Sequence, residues 1–255
     1  MSKIVSIHSF RGGTGKSNST ANLAALVARH GKRVGIVDTD IQSPGIHVLF
    51  GFDKEKERMK YSLNDYLWGN CLIEEAAYDV TSVLKEKAAK NSKIYLIPSS
   101  IKPGDITRIL REGFDFNMLN DGLQDLIDAL ELDYLFIDTH PGLNEETLLS
   151  MTISDVLVLI LRPDNQDFQG TAVTVEVARK LRVPQMLLLI NKALPSLDFD
   201  ALQQQVEKIY NTPVAGILPA SDEMMQLASS DLFCLRHSNH PFSQEMEKVA
   251  KKIMR

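Results

Sequence analysis

The stretch Gly12-Gly13-Thr14-Gly15-Lys16-Ser17 follows an apolar run, opens onto a helical pattern, and constrains this chain more than any other feature. Glycines at 12, 13 and 15 let successive backbone N–H groups turn inward without Cβ clashes, making a nest for the oxygens of a di- or triphosphate. In such a loop Lys16 bridges the terminal phosphates and Ser17 ligates Mg²⁺. The helix that begins there aims the positive end of its dipole at the same anion. The expected phosphate-cradling set is therefore Gly12, Gly13, Thr14, Gly15, Lys16, Ser17 and Asn18. A plain glycine-rich turn before a helix explains neither Lys16 nor Ser17 at this spacing.

The usual loop has glycine four places before Thr14, and here that place holds Phe10. The form x-(Lys/Arg)-Gly-Gly-x-Gly-Lys-Ser resembles the deviant Walker A motif of the ParA/MinD family, in which the first glycine is freely replaced. In that family a signature lysine before the two glycines reaches across a nucleotide-bridged dimer to the other subunit's phosphates. Arg11 stands in its place. Arginine keeps the charge and adds a planar fork of donors, but it is longer and bulkier. The resemblance implies ATP and Mg²⁺ as cofactors, a homodimer in ATP, and Lys16, Asp40 and Arg11 as the catalytic set.

The length of 255 residues and 44% hydrophobic content suit a single α/β domain with a doubly covered sheet, and no linker divides it. The expected fold is a P-loop NTPase domain over residues 1–255 with a mostly parallel central sheet. A net charge of −5 does not favour a dedicated nucleic-acid binder, although it leaves room for a local basic patch. Cys71 and Cys234 suit neither a zinc knuckle nor a redox pair. No signal-peptide pattern opens the chain and no apolar run approaches membrane-spanning length, so a cytoplasmic location is expected.

Strands are expected at Lys3–Ser9, Arg33–Asp38, Tyr134–Asp138, Val156–Leu161 and Gln185–Ile190, with helices between them. The second strand ends in Asp38-Thr39-Asp40, two carboxylates at the end where open α/β sheets bind ligands. This stretch resembles the family's switch I, which implies that Asp40 positions the attacking water and Asp38 serves the magnesium hydration shell. Tyr134-Leu135-Phe136-Ile137-Asp138 is a Walker B pattern whose last carboxylate, Asp138, holds the hydration shell of Mg²⁺. Pro141-Gly142 resembles switch II, where Gly142 offers a backbone N–H to the γ-phosphate and hinges when that phosphate leaves. His140 invites a catalytic reading. The resemblance places a non-titrating residue there, so a structural or regulatory role is expected instead.

Asn191-Lys192-Ala193-Leu194 bears on the base. A guanine-binding Asn-Lys-x-Asp motif needs a carboxylate where Leu194 stands, so adenine is expected. The resemblance implies that Asn191 contacts the adenine edge and that Pro219 lies on the far wall.

Residues Asp53 to Lys60 read as a charged solvated connector, and Lys85, Lys87, Lys90 and Lys93 as a basic cluster for which a solvated loop is expected rather than a polyanion contact. Ser62 and Asp65 have capping-box spacing. The closing helix from Pro241 places Phe242, Met246, Val249, Ala250 and Ile253 on one face, and a buried helix is expected rather than a basic membrane helix. No dedicated membrane-targeting tail is expected.

The function these observations imply is a slow, partner-stimulated ATPase that dimerises in ATP and acts as a positioning or partitioning switch. Its partner is an unidentified protein activator or cargo adaptor. A non-catalytic, nucleotide-dependent interaction protein is the alternative that Arg11 raises, and intact Lys16 and Asp40 argue against it. An iron–sulfur or metallochaperone ATPase would need a Cys-x-x-Cys pair, which the two cysteines do not supply.

Overall fold

Runs such as Val156–Leu161 are apolar at every position, which only a sheet covered on both faces accommodates. The computed structural model, which describes residues 2–52 and 59–255, contains that sheet. Its strands are β1 (Lys3–His8), β2 (Arg33–Asp38), β3 (Tyr78–Asp79), β4 (Lys93–Ile97), β5 (Tyr134–Asp138), β6 (Val156–Leu161), β7 (Gln185–Ala193) and β8 (Val214–Pro219). Their order is β3-β4-β2-β5-β1-β6-β7-β8, and all the pairings are parallel except the short β3 against β4.

The longer helices of the first half are α1 (Lys16–Arg29), α3 (Pro103–Glu112) and α4 (Phe116–Ala129), with the short α2 (Leu63–Leu67) among them. The second half supplies α5 (Glu145–Thr152), α6 (Asn165–Lys180), α7 (Phe199–Tyr210), α8 (Asp222–Leu227), α9 (Phe233–Arg236) and α10 (Pro241–Ile253). One face of the sheet, with Val5, Ile7, Val34, Ile36 and Phe136, is covered by α1, α9 and α10. The other face divides in two. There α4 covers Ile4, Val37, Leu135 and Ile137, while α6 and α7 cover Leu157, Leu159, Leu188 and Ile190.

Local chemistry sets the helix ends. Gly31, at φ +83°, turns the chain out of α1 in a left-handed conformation that a side chain would strain. Ser62 and Asp65 form the expected capping box of α2. Asp115 accepts from the Asn117 N–H and starts α4 at Phe116, two residues ahead of the apolar period that begins at Met118.

The closing helix is a core helix. Phe242, Met246, Val249 and Ile253 are buried on the sheet, each contributing about 1.5–3 kcal/mol. Lys252 donates to the Val214 and Ala215 carbonyls, bracing strand β8. Among the described residues no helix is long and apolar enough to cross a membrane.

Three sequence expectations are revised. Strand β8 was not anticipated, because Gly216 and Pro219 weaken its pattern. Gly216 is needed there, since a Cβ would lie 2.8 Å from Val249 of α10. Strand β7 runs three residues past Ile190, through a register shift, to Ala193. Lys93 belongs to β4 and pairs with Asp79 rather than lying in a solvated loop. The charged connector from Asp53 lies outside the described residues over 53–58.

Candidate nucleotide site

Because β1 sits between β5 and β6, and β5 beside β2, the loops after β1, β2 and β5 meet at the carboxyl edge of the sheet. That is the crevice where parallel α/β sheets bind ligands. The loop after β1 carries the glycine motif. Gly13 and Gly15 have φ of +76° and +95°. Gly15 is the N-cap of α1, with no side-chain cap bond and no acidic residue in the first turn. The helix thus presents unshielded N–H groups and its positive end to the crevice.

Gly15 has a second constraint. A Cβ there would lie 2.5 Å from Asn191 Nδ2, which donates to the Thr14 carbonyl at 2.8 Å. Asn191 Oδ1 accepts from the Lys192 N–H, so the amide keeps one N–H and one lone pair for a ligand. The sequence reading missed Lys192. Its ammonium clamps the Gly13 carbonyl at 2.8 Å from a left-handed backbone position at φ +57°. The register shift between Ile190 and Ala193 is what turns this residue toward the loop.

Lys16 is buried beside three carboxylates. Burial lowers its pKa, while Asp138, Asp40 and Asp38 pull the other way. Asp38 and Asp138 are register neighbours on β2 and β5. Burial, then the charges of Asp138 and Asp40, hold the Asp38 carboxyl well above the usual carboxylate range. Asp138 is raised to about 6 by burial, against the pull of the Ser17 hydroxyl, Lys16 and Thr20. Thr20, another residue the sequence reading passed over, sits 3.0 Å from Asp138 Oδ1. Asp138 Oδ2 is buried without a hydrogen-bond partner among the described residues.

This pattern fits a hydrated divalent cation. An orphaned carboxylate oxygen and two carboxyls with raised pKa mean excess negative charge in a low-dielectric site. The expected ligand Ser17 touches the same carboxylate. Among the described residues no group of three or more His, Cys, Asp or Glu side chains has metal-holding geometry, so the oxygens of a bound phosphate would complete the coordination.

Gly142, at φ +87°, donates its N–H to the Ser9 carbonyl at 3.2 Å. The γ-phosphate contact expected from sequence therefore requires that bond to break. Arg11 lies against the N-terminal turn of α6, donating to Gln166 Oε1 with Asp167 3.9 Å away, its side chain 40% exposed. Phe10, in the missing glycine's place, packs on Gly170 of the same helix, where a Cβ would collide with its ring. Together Phe10 and Arg11 dock the loop's proximal arm onto α6.

A cavity of about 520 Å³ opens beside the loop between Asn191 and Pro219, walled by Met224, Met225 and Phe242. Asn18 borders it and donates to Ser229 at 3.2 Å. No acidic side chain is among its described lining residues. Leu194, 59% exposed, faces an adjoining cavity instead.

His8 ends β1 beneath the site, fully buried. Thr139 Oγ1 spends its proton on the Ile7 carbonyl, so His8 Nδ1 must be the donor to that oxygen, leaving Nε2 without a partner among the described residues. Burial first, then Lys16 and His140, push its pKa down to about 3. An unfolded histidine takes its proton near 6.5. The unfolded chain therefore binds more protons below that pH, and this contribution to stability is lost as pH falls from about 6.5 toward 3. Asp38 and Asp138 act in the opposite sense, so His8→Gln serves as the reference. From pH 7 to 5 the wild type should lose about 2 kcal/mol relative to His8→Gln in urea unfolding. A pH-independent gap would contradict a buried neutral His8.

Comparison with known proteins agrees with this architecture. The family described as an AAA domain matches residues 2–196. The septum site-determining protein MinD of Helicobacter pylori is 28% identical over 100% of this chain and 91% of its own length. An ATP-binding protein of Methanocaldococcus jannaschii is 27% identical over 98% of this chain and 87% of its own. Among solved structures, the Pyrococcus furiosus cell division ATPase MinD superposes with a TM-score of 0.81 at 21% identity, covering 100% of this chain and 99% of that one. A Borrelia burgdorferi plasmid partition protein bound to AMPPNP gives 0.77 at 21% identity, covering 100% and 99%.

Proposed function

The chain belongs to the ParA/MinD-like family of P-loop ATPases, and from that premise we propose that it binds ATP with Mg²⁺, dimerises around it and hydrolyses it slowly, acting as a positioning or partitioning switch. The observation that carries the reading is the uncapped α1 N-terminus with buried Lys16 beneath it and an orphaned Asp138 oxygen opposite.

The loop N–H groups and Lys16 bind the phosphates, and Asp40 holds the water. Water oxygen bonds to the γ-phosphorus as the bridging P–O bond breaks, its electrons staying with ADP, while the water proton passes to Asp40. Ser17, Asp38 and Asp138 would hold hydrated Mg²⁺, which when bound neutralises phosphate charge. Gly142 leaves Ser9 to meet the γ-phosphate and returns after its release, which gives the site two states. The MinD and plasmid partition relatives motivate the positioning role, with a protein activator or cargo adaptor as partner.

ATP should be preferred to GTP, because guanine's N1 and N2 protons would enter a cavity whose described lining holds no carboxylate. Titration with both nucleotides, with phosphate release followed in parallel, should show tighter ATP binding and slow turnover. Equal affinities, or no turnover, would contradict the reading.

A further inference from the structure

We infer that His140 is a positioning residue for water attack: its imidazole fixes one oxygen of Asp40 and so reserves the other for the water. The inference rests on the ATPase reading of the same site.

The geometry follows from sheet register. Asp38 and Asp138 are direct partners on β2 and β5, and each is followed two residues later by Asp40 and His140. The pairing extends beyond the strand ends, because the Thr39 N–H and hydroxyl both donate to the Asp138 carbonyl at 2.9 and 3.0 Å. Asp40 and His140 are thereby delivered side by side, and His140 Nδ1 stands 2.7 Å from Asp40 Oδ1. The two side chains are 12% and 19% exposed, so water competes little for the contact.

Among the described residues, the hydrogen-bond partners of the Asp40 side chain all meet one oxygen. Oδ1 also accepts from the Ser43 N–H at 3.2 Å and the Ser43 hydroxyl at 3.4 Å. A carboxylate with one oxygen fully engaged presents the other in a fixed direction. The need for such a restraint is local. Lys16 feels the Asp40 charge, and an untethered Asp40 would be drawn toward that ammonium, away from the place where water must sit. Orientation of this kind matters steeply, since about 1 Å of misplacement can cost on the order of 100-fold in rate.

The contact also joins the two switch segments. Asp40 belongs to the loop after β2 and His140 to the loop after β5, immediately before Pro141-Gly142. Movement of Gly142 on or off the phosphate therefore reaches Asp40 through one hydrogen bond.

A purely structural histidine would alter folding or nucleotide affinity, whereas a positioning residue alters turnover. Phosphate release and ATP affinity measured on wild type, His140→Ala, His140→Asn, Asp40→Ala and the His140→Ala/Asp40→Ala double variant separate the two. The expected result is that His140→Ala lowers kcat about 10- to 100-fold with KM for ATP within about two-fold of wild type. The carboxamide N–H of His140→Asn should restore most of that loss. The double variant should be no slower than Asp40→Ala alone, since both changes act on one group. Wild-type turnover that His140→Ala leaves unchanged, or losses that multiply in the double variant, would overturn the inference and leave the ATPase reading standing. A wild type that releases no phosphate would remove that reading and the inference with it.

Discussion

Lys16→Ala should weaken ATP binding by about 100-fold, whereas Asp40→Ala should bind ATP nearly as the wild type does and lose about 100- to 10,000-fold in turnover. The asymmetry follows from where each charge acts. In the proposed site buried Lys16 lies under the phosphate nest, where its ammonium would meet ground-state phosphate charge, and its removal would also leave the neighbouring carboxyls of Asp138, Asp40 and Asp38 without their cation. Asp40 is tethered through Oδ1 to His140 and Ser43, and in the proposed site its other oxygen would gain value only as water attacks. Isothermal titration with a slowly hydrolysed analogue and phosphate release under saturating ATP report the two quantities separately. Equal loss of affinity in both variants would mean that Asp40 is a ground-state ligand.

How far the sequence alone could reach is clearest at particular residues. The glycine loop, Lys16, Ser17 and the aspartates at 38 and 138 were legible because their spacing is dictated by short-range backbone geometry: a nest, a helix start and two buried strand ends. The doubly covered sheet was legible because strands apolar at every position have no other home. Long-range register was not legible. That Asp40 meets His140, or that Thr20 meets Asp138, depends on β2 pairing with β5 and on α1 crossing β5, and no local pattern states those pairings. The offset was nonetheless present, since each residue follows its partnered aspartate by the same two positions.

Strand β8 was missed for a related reason. Its glycine fits α10, a helix that follows it by more than twenty residues, so the residue that weakens the strand pattern is explained only in three dimensions. Lys192 was missed because its reach to Gly13 depends on a register shift at the end of β7.

The second large effect concerns assembly. Arg11 is 40% exposed at the lip of the loop, anchored to Gln166 with Asp167 3.9 Å away, both on the first turn of α6. In a C₂ arrangement with two loops face to face, the guanidinium would leave Gln166 and the 3.9 Å pair with Asp167 for the other subunit's γ-phosphate, exchanging a neutral acceptor and a long ion pair for a charge-assisted, bidentate contact. Such an exchange would favour the dimer only while the γ-phosphate is present and would so couple assembly to ATP. Arg11→Ala should therefore weaken the ATP dimer while leaving the protomer folded, because Arg11 is itself 40% exposed and the buried Asp167 keeps its bonds to Arg162.

Sedimentation velocity of Asp40→Ala, in which hydrolysis is blocked, tests the switch most directly. Twice the 28.5 kDa protomer mass is expected in Mg·ATP, the protomer mass in Mg·ADP, and a return toward protomer when Arg11→Ala is added. The same mass in both nucleotides would contradict an ATP-driven switch, and a dimer that forms equally well without Arg11 would contradict the contact across it.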